Sequence, residues 1–363
     1  MAANAQRERI EARLERGGGA IELLRAPEAL FRAVGALRRT LYDRGLLPKA
    51  RLAVPVVSVG NLSAGGTGKT PMVAWVAREL AQRGRRVGLL SRGYGARAGE
   101  GNDEAALLAE LLPGVPHVQD KDRARGGHAL VQQHAVDAVV LDDGFQHRRL
   151  HRELDLVLLD ATRPWGFAGR GDDDAPLLPR GLLREPPCAL ARADAIVLTR
   201  ADQARDAELS ELRRAVERHA PGKPLALAAH TPARLVSLDG EREELAALHG
   251  REVDVASGLG HPAAFEATLA SLGARVREHR RFPDHHAFSA ADLEGLGGRW
   301  VVVSAKDAVK LRPLAFAARA AVRVLAVELE LLEGAPALAA LLDALPISQA
   351  MRERAALHEG LHG

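Results

Sequence analysis

The chain is poor in cysteine: among 363 residues only Cys188 carries a thiol. One thiol forms no intramolecular disulfide and builds no cysteine-rich metal cage, which fits a reducing compartment. Long apolar runs are also missing, and none approaches the ~18 residues that cross a bilayer. The first residues carry Arg7, Glu8 and Arg9 rather than the apolar stretch of a secretory signal. A basic face spread over the body is lacking too. Residues 1–51 hold eleven Lys or Arg against six Asp or Glu, whereas the remainder is almost balanced. A nucleic-acid protein more often distributes its positive charge over the folded surface, so no nucleic-acid partner is expected. Disulfide-stapled, secreted and membrane-spanning readings drop out.

What is present is a composition of 47% apolar and 27% charged residues, as in folded soluble domains. The length suggests about two of them. No repeat of solenoid length and no low-complexity segment occurs. Within the basic N-terminal segment, Pro27 and Glu28 open a helix, and Arg38, Arg39 and Gly45 close it. Leu30, Val34, Leu37 and Leu41 form an apolar stripe, with Arg32 and Arg39 on the opposite side. Periodicity allows two uses of that stripe: packing on the protein itself, or contact with an anionic membrane surface.

From residue 52 short apolar runs alternate with helical stretches. The runs fall at 52–59, 86–90, 136–141, 154–159, 195–198 and 225–229, and again at 253–256, 300–303 and 322–327. Fully apolar strands separated by helices indicate parallel sheets covered on both faces. The turn-rich stretch 220–224 marks a boundary. The expected fold class is α/β and P-loop NTPase-like, with two α/β/α domains of mainly parallel sheet and an N-terminal amphipathic helix. The expected segments are 1–50, 51–228 and 229–363.

Residues 54–80 read as an apolar strand, a glycine-rich turn and a helix, the context of a phosphate-binding loop. Gly65, Gly66, Thr67 and Gly68 would close backbone N–H groups around phosphate oxygens. Lys69 would reach the outer phosphates of a nucleoside triphosphate, and the Thr70 hydroxyl would ligate Mg²⁺. The strict loop pattern has glycine where Ser63 stands. A second strand, 136–141, ends in Asp142 and Asp143, where a P-loop fold presents carboxylate to Mg²⁺. A glycine turn with an incidental lysine, and a solvated acid pair, are the plainer alternatives.

Five segments occur in order: GNLSAGGTGKTP, SRGYG, LDDGFQHRR, LLPRGLLREP and FPDHH. Together they resemble the tetraacyldisaccharide 4′-kinase family over about residues 54–311. The resemblance implies transfer of the γ-phosphate of ATP, with Mg²⁺, to the 4′-hydroxyl of a lipid A disaccharide 1-phosphate precursor. It implies two domains joined by a hinge with the site in the cleft. With such an acceptor, the basic helix would hold the enzyme, expected to be a cytoplasmic monomer, peripherally on the inner face of the inner membrane. A Gly-Asp-Glu segment supplies the family's base, which makes Asp103 the candidate here, with Glu104 beside it and Asn102 in place of the glycine. Capping of the following helix is the alternative role for Asp103. His285 and His286 match the second-domain histidine motif, with a solvated turn or a metal pair as alternatives. Arg184 and Glu185 match positions that face the nucleotide, Arg184 toward the transferring phosphoryl and Glu185 toward Mg²⁺, with a surface ion pair ahead of a proline-ended loop as the alternative. Arg92 and Arg123 are candidates for phosphate contact, and Gln146, His147 and Arg148 for the acceptor, with Arg149 alongside; a basic solvated loop is the alternative for 147–149. Ala305 stands where the family carries glutamate, ahead of Lys306 and Asp307. A switch ATPase of the partitioning or metal-insertion kind is the alternative function. Such proteins usually carry lysine where this chain has Ala64.

Overall fold

Strand β1 (Val56–Asn61) is buried along its whole length, because both faces of the sheet around it are covered. The computed structural model describes residues 13–14, 18–93, 103–173, 175–349 and 351–352. Tyr94, Gly95 and Asn102 therefore lie outside the described residues, as does most of the segment before Gly18. Two compact units emerge. Gly18–Ala229 forms one with the described part of Leu331–Gly363, and His230–Glu330 lies in the other.

In the first unit β1 lies between β4 (Ala138–Asp142) and β5 (Leu154–Asp160). Beyond β4 come β2 (Val87–Ser91) and β3 (His117–Gln119), and beyond β5 come β6 (Ala195–Thr199) and the start of β7 (Leu225–Ser237). Every one of these pairings is parallel, so all the strand C-termini lie at one edge. The register sets Val59 opposite Asp142. The loop after β1 and the acid pair after β4 are thus neighbours by construction, at the edge where open α/β sheets bind ligands. Gly60 and Gly144 make this close approach possible. A Cβ at Gly60 would meet the Phe145 Cβ at 2.6 Å, and one at Gly144 the Ser58 Oγ at 2.5 Å.

Helix α1 (Arg25–Asp43) belongs to this unit and docks through its polar side. Buried Glu28 accepts from the Leu177 N–H at 2.9 Å and pairs with Arg180. Arg148 donates to Asp43 at 2.6 Å and to the Arg39 carbonyl at 3.1 Å. Leu30, Val34 and Leu37 face outward, between 59% and 66% exposed. Of the two uses of the stripe that the sequence allows, packing on the protein is not the one observed for these three residues.

The helices α2 (Lys69–Gln82), α3 (Asp103–Leu111), α4 (Arg123–His134) and α5 (Asp206–His219) complete the first unit's central connections. The second unit carries β9 (Glu252–Ser257), β10 (Arg275–Arg281), β11 (Trp300–Ser304) and β12 (Val322–Glu333), in the order β10-β9-β11-β12-β7. The short β8 (Arg242–Glu243) runs antiparallel on β7. Helices α6 (Pro262–Ser271) and α7 (Ala305–Leu311) join these strands.

The division differs from the sequence-based segments at both ends. The N-terminal helix is part of the P-loop unit. The chain also returns to that unit at Leu331, through α8 (Ala335–Asp343). Arg83 holds Asp343 at 2.7 Å, and buried Arg85 donates to the Leu345 and Pro346 carbonyls at 2.8 and 2.9 Å. These contacts give the tail a reason to return that no local pattern announces.

Candidate active site

Gly68 caps α2 in the left-handed region at φ 83°, and Gly65 sits at φ 134°. Both conformations suit glycine, and together they wrap the loop around the helix N-terminus. Inside the loop, buried Asn61 donates through Nδ2 to the Ser63 carbonyl at 2.8 Å and to Thr67 Oγ1 at 2.9 Å. The loop's entrance is sewn to 177–186: the Ala64 N–H donates to the Leu182 carbonyl, and the Arg184 N–H to the Leu62 carbonyl, each at 2.7 Å. This pairing brings Arg184 beside the loop from 120 residues away in sequence.

At the end of β4, Asp143 adopts φ 53°, a conformation aspartate tolerates better than most residues. Its carboxylate lies 3.6 Å from Lys69 Nζ and accepts from Arg184 Nη1 at 2.8 Å. Burial alone would raise the Asp143 pKa; Lys69 and Arg184 outweigh it and hold the carboxyl below its ordinary value. Asp142 has the opposite environment. Burial first, then the charge of Glu104, pushes its carboxyl up to about 7. Its Oδ1 is buried without a hydrogen-bond partner. A desolvated, unpartnered oxygen next to a lysine and a second carboxylate is a donor suited to a hard divalent cation. Among the described residues no cluster of three or more His, Cys, Asp or Glu forms a metal cage by itself. A cation here would take part of its shell from phosphate and water, as Mg²⁺ does.

The other expected residues sort themselves by their partners. Arg123 opens α4 and is buried, donating to the Lys121 carbonyl at 3.2 Å. Burial lowers its pKa, and the Arg92 charge adds to the effect, so the two guanidinium groups share one neighbourhood with the acid pair. Asp103 and Glu104 start α3, and the Asp103 carboxylate accepts from the Glu104 N–H at 3.2 Å. Beside it, Glu104 is a carboxylate whose charge reaches Asp142. Gln146 donates to the Asn61 carbonyl at 2.9 Å, tying the acid loop to β1. Burial, helped by the charges of Arg123 and Arg152, pulls the His147 pKa down to about 4. Arg148 is engaged by α1, through Asp43 and the Arg39 carbonyl. Glu185 is held by Arg192 at 2.8 and 3.3 Å, and Arg192 lies over the Phe145 ring.

In the second unit the two histidines have different surroundings. His286 stacks on Phe282 at 4.5 Å between ring centroids and bonds Asp292 at 3.0 Å. His285 sits at φ 63° with its ring half-exposed. Lys306 Nζ holds the preceding Asp284 at 2.9 Å.

A parallel sheet, a glycine loop at a helix N-terminus, a lysine, and an acid pair with one buried member at the adjacent strand end define a P-loop phosphotransferase. Residues 20–346 match the LpxK family, tetraacyldisaccharide-1-P 4′-kinase. The chain belongs to that family, whose members are kinases of lipid A biosynthesis. It is 48% identical to the tetraacyldisaccharide 4′-kinase of Anaeromyxobacter dehalogenans strain 2CP-C, over 87% of this chain and 88% of that one. To the enzyme of Syntrophus aciditrophicus it is 39% identical, covering 79% and 83%. The crystal structure of LpxK from Aquifex aeolicus in complex with ATP superposes with a TM-score of 0.69, at 33% identity, over 89% of this chain and 98% of that one.

Proposed function

We propose that the first unit binds MgATP and passes its γ-phosphoryl group to the 4′-hydroxyl of a tetraacyldisaccharide 1-phosphate. The observation that carries this reading is the convergence of Lys69 and Arg184 on Asp143, at the mouth of the glycine loop. Asp143 gathers the two cations where transferring phosphate would need them, and neutralisation of that phosphate is the main catalytic demand. Asp142, Thr70 and Glu185 would hold Mg²⁺, whose contribution is to neutralise charge on the phosphates. Arg92 and Arg123 add positive potential at the same edge. Asp103 takes the proton of the attacking hydroxyl as general base, while Glu104 keeps negative charge beside Asp142. The test is ADP release with and without acceptor. An acceptor-independent rate would point to a switch ATPase; we expect at least about tenfold stimulation by the acylated disaccharide.

Of the two histidines, His285 is the functional one in this reading and His286 a packing residue. His285→Ala is expected to lower kcat roughly 10²-fold with an unchanged melting temperature, within the range of a lost acid–base partner. His286→Ala is expected to lower the melting temperature instead. The reverse pattern would exchange the roles.

The outward stripe of α1 gives the kinase a seat on the membrane that holds its acceptor, on the inner face of the inner membrane, with the enzyme acting as a monomer. Leu23 and Leu46 extend the exposed apolar surface, and exposed Arg25 and Arg38 flank it. Apolar side chains bordered by arginine suit an anionic bilayer surface. No described helix is long and apolar enough to cross a membrane. Changing Leu30, Val34 and Leu37 together to serine is expected to weaken binding to anionic vesicles at least about tenfold. Melting temperature and activity on detergent-dispersed acceptor should stay as they are. Equal vesicle binding would rule out the stripe as the anchor.

A further inference from the structure

Two consecutive carbonyls of the glycine loop are gripped from behind by two consecutive residues at the end of β6. Thr199, fully buried, donates through Oγ1 to the Thr67 carbonyl at 2.9 Å. Arg200 donates through Nη2 to the Gly66 carbonyl at 2.9 Å. The other arm of Arg200 pairs with Asp160, which ends β5 and is 2% exposed. Asp160 is itself fixed: its Oδ1 accepts from the Thr162 N–H at 3.1 Å and hydroxyl at 2.7 Å, and Arg163 Nε stands 3.6 Å from its Oδ2. The register that sets Asp160 opposite Thr199 makes this a consequence of strand pairing. Arg200 reaches the loop from φ 53°, a left-handed conformation that is costly for arginine and persists only where surroundings impose it.

A buried ion pair is weak evidence for stability, because desolvation offsets the attraction. Its third partner is the informative one. A peptide is planar and trans, so its carbonyl and the following N–H point in opposite directions. Pinning the Thr67 carbonyl toward β6 turns the Gly68 N–H to the opposite side. Pinning the Gly66 carbonyl sets the Thr67 N–H, which closes a tight turn on the Gly65 carbonyl at 3.1 Å. The loop's working groups are amides, and these two contacts decide where they aim.

We infer that Thr199 and Arg200, with Asp160 behind Arg200, are positioning residues that preorganise the phosphate loop for nucleotide. The inference rests on the reading that this loop binds ATP. Without the clamp the loop must be ordered at the moment of binding, so the loss falls on ATP affinity more than on turnover. In the full chain, Arg200→Gln is expected to raise the KM for MgATP about tenfold, with kcat within about threefold and acceptor KM unchanged. Thr199→Val, nearly isosteric, should raise it about threefold with little change in melting temperature. The double variant should lose less than the product of the two, since both act on one loop. Arg200→Lys keeps a charge beside Asp160 and should recover part of the affinity. Equilibrium ATP binding by Lys69→Met, measured alongside, separates the two claims. If Lys69→Met binds ATP like wild type, the loop is not the nucleotide site. If Lys69→Met weakens binding while Thr199→Val and Arg200→Gln leave it within twofold, the clamp is structural only and the inference fails. Should Arg200→Gln not fold, Thr199→Val and Arg200→Lys decide by the same criterion.

Discussion

Lys69→Met is expected to lower kcat/KM for ATP by roughly 10³-fold, the scale that follows when a preorganised charge at a transferring phosphoryl group is removed. The reason is positional. Lys69 is the first residue of α2, its Nζ lies 3.6 Å from Asp143, and Arg184 meets the same carboxylate from the segment 177–186. Removing the lysine leaves Asp143 with one cation instead of two, so its negative charge opposes phosphate more strongly. Lys69→Met/Asp143→Asn should therefore recover part of the ATP affinity, though not the turnover. Steady-state kinetics on the pair of variants checks this. An additive loss in both parameters would mean that Asp143 and Lys69 work independently.

Asp142→Asn is expected to cost activity roughly 10²–10³-fold and yet to make the ligand-free protein more stable at pH 8. The carboxyl titrates near 3.8 when solvated and near 7 in the folded chain, where burial disfavours the charged form. A pKa raised by folding supplies stability that is complete below 3.8 and disappears as pH rises toward 7, at about 1.4 kcal/mol for each unit of separation. Above pH 7 the wild type keeps a buried carboxylate that asparagine lacks. The variant's advantage in melting temperature should be largest at pH 8 and shrink toward pH 4. Added MgATP should raise the wild-type melting temperature far more than that of the variant. A variant less stable than wild type at pH 8 would show that Asp142 holds the fold together, and that its burial is not a cost tolerated for cation binding.

Much of this was legible in residue order alone, for identifiable reasons. Parallel strands buried on both faces leave runs such as Val136–Leu141 with no polar residue but Asp137, and β4 lies where that run predicts. The glycine loop and the acid pair announce themselves because backbone curvature and carboxylate chemistry tolerate few substitutes. Other elements gave no such signal. Helix α4 contains Gly126 and Gly127, poor helix formers. A Cβ at Gly126 would meet the Asp120 Cβ at 2.8 Å, and one at Gly127 the Leu52 Cδ1 at 2.7 Å. Packing against the sheet selected them over propensity. Strand β10, RVREHRR, is an edge strand with mostly half-exposed or exposed side chains and shows no apolar run. The direction in which α1 faces could not be read from its periodicity, since a stripe has the same spacing whichever side meets the protein. Buried Glu28 decides it, through a backbone partner about 150 residues away. The clamp on the loop escaped for a similar reason: Thr199-Arg200 and Asp160 become neighbours only through strand pairing.

The measurement closest to the central claim is a single turnover of γ-labelled ATP with tetraacyldisaccharide 1-phosphate, followed by location of the label. The geometry at Lys69, Asp142, Asp143 and Arg184 predicts one labelled phosphate on the 4′-oxygen for each ADP formed, and none from Lys69→Met or Asp142→Asn on the same timescale. Label released as inorganic phosphate at the same rate with and without acceptor, or transfer that persists in both variants, would contradict it.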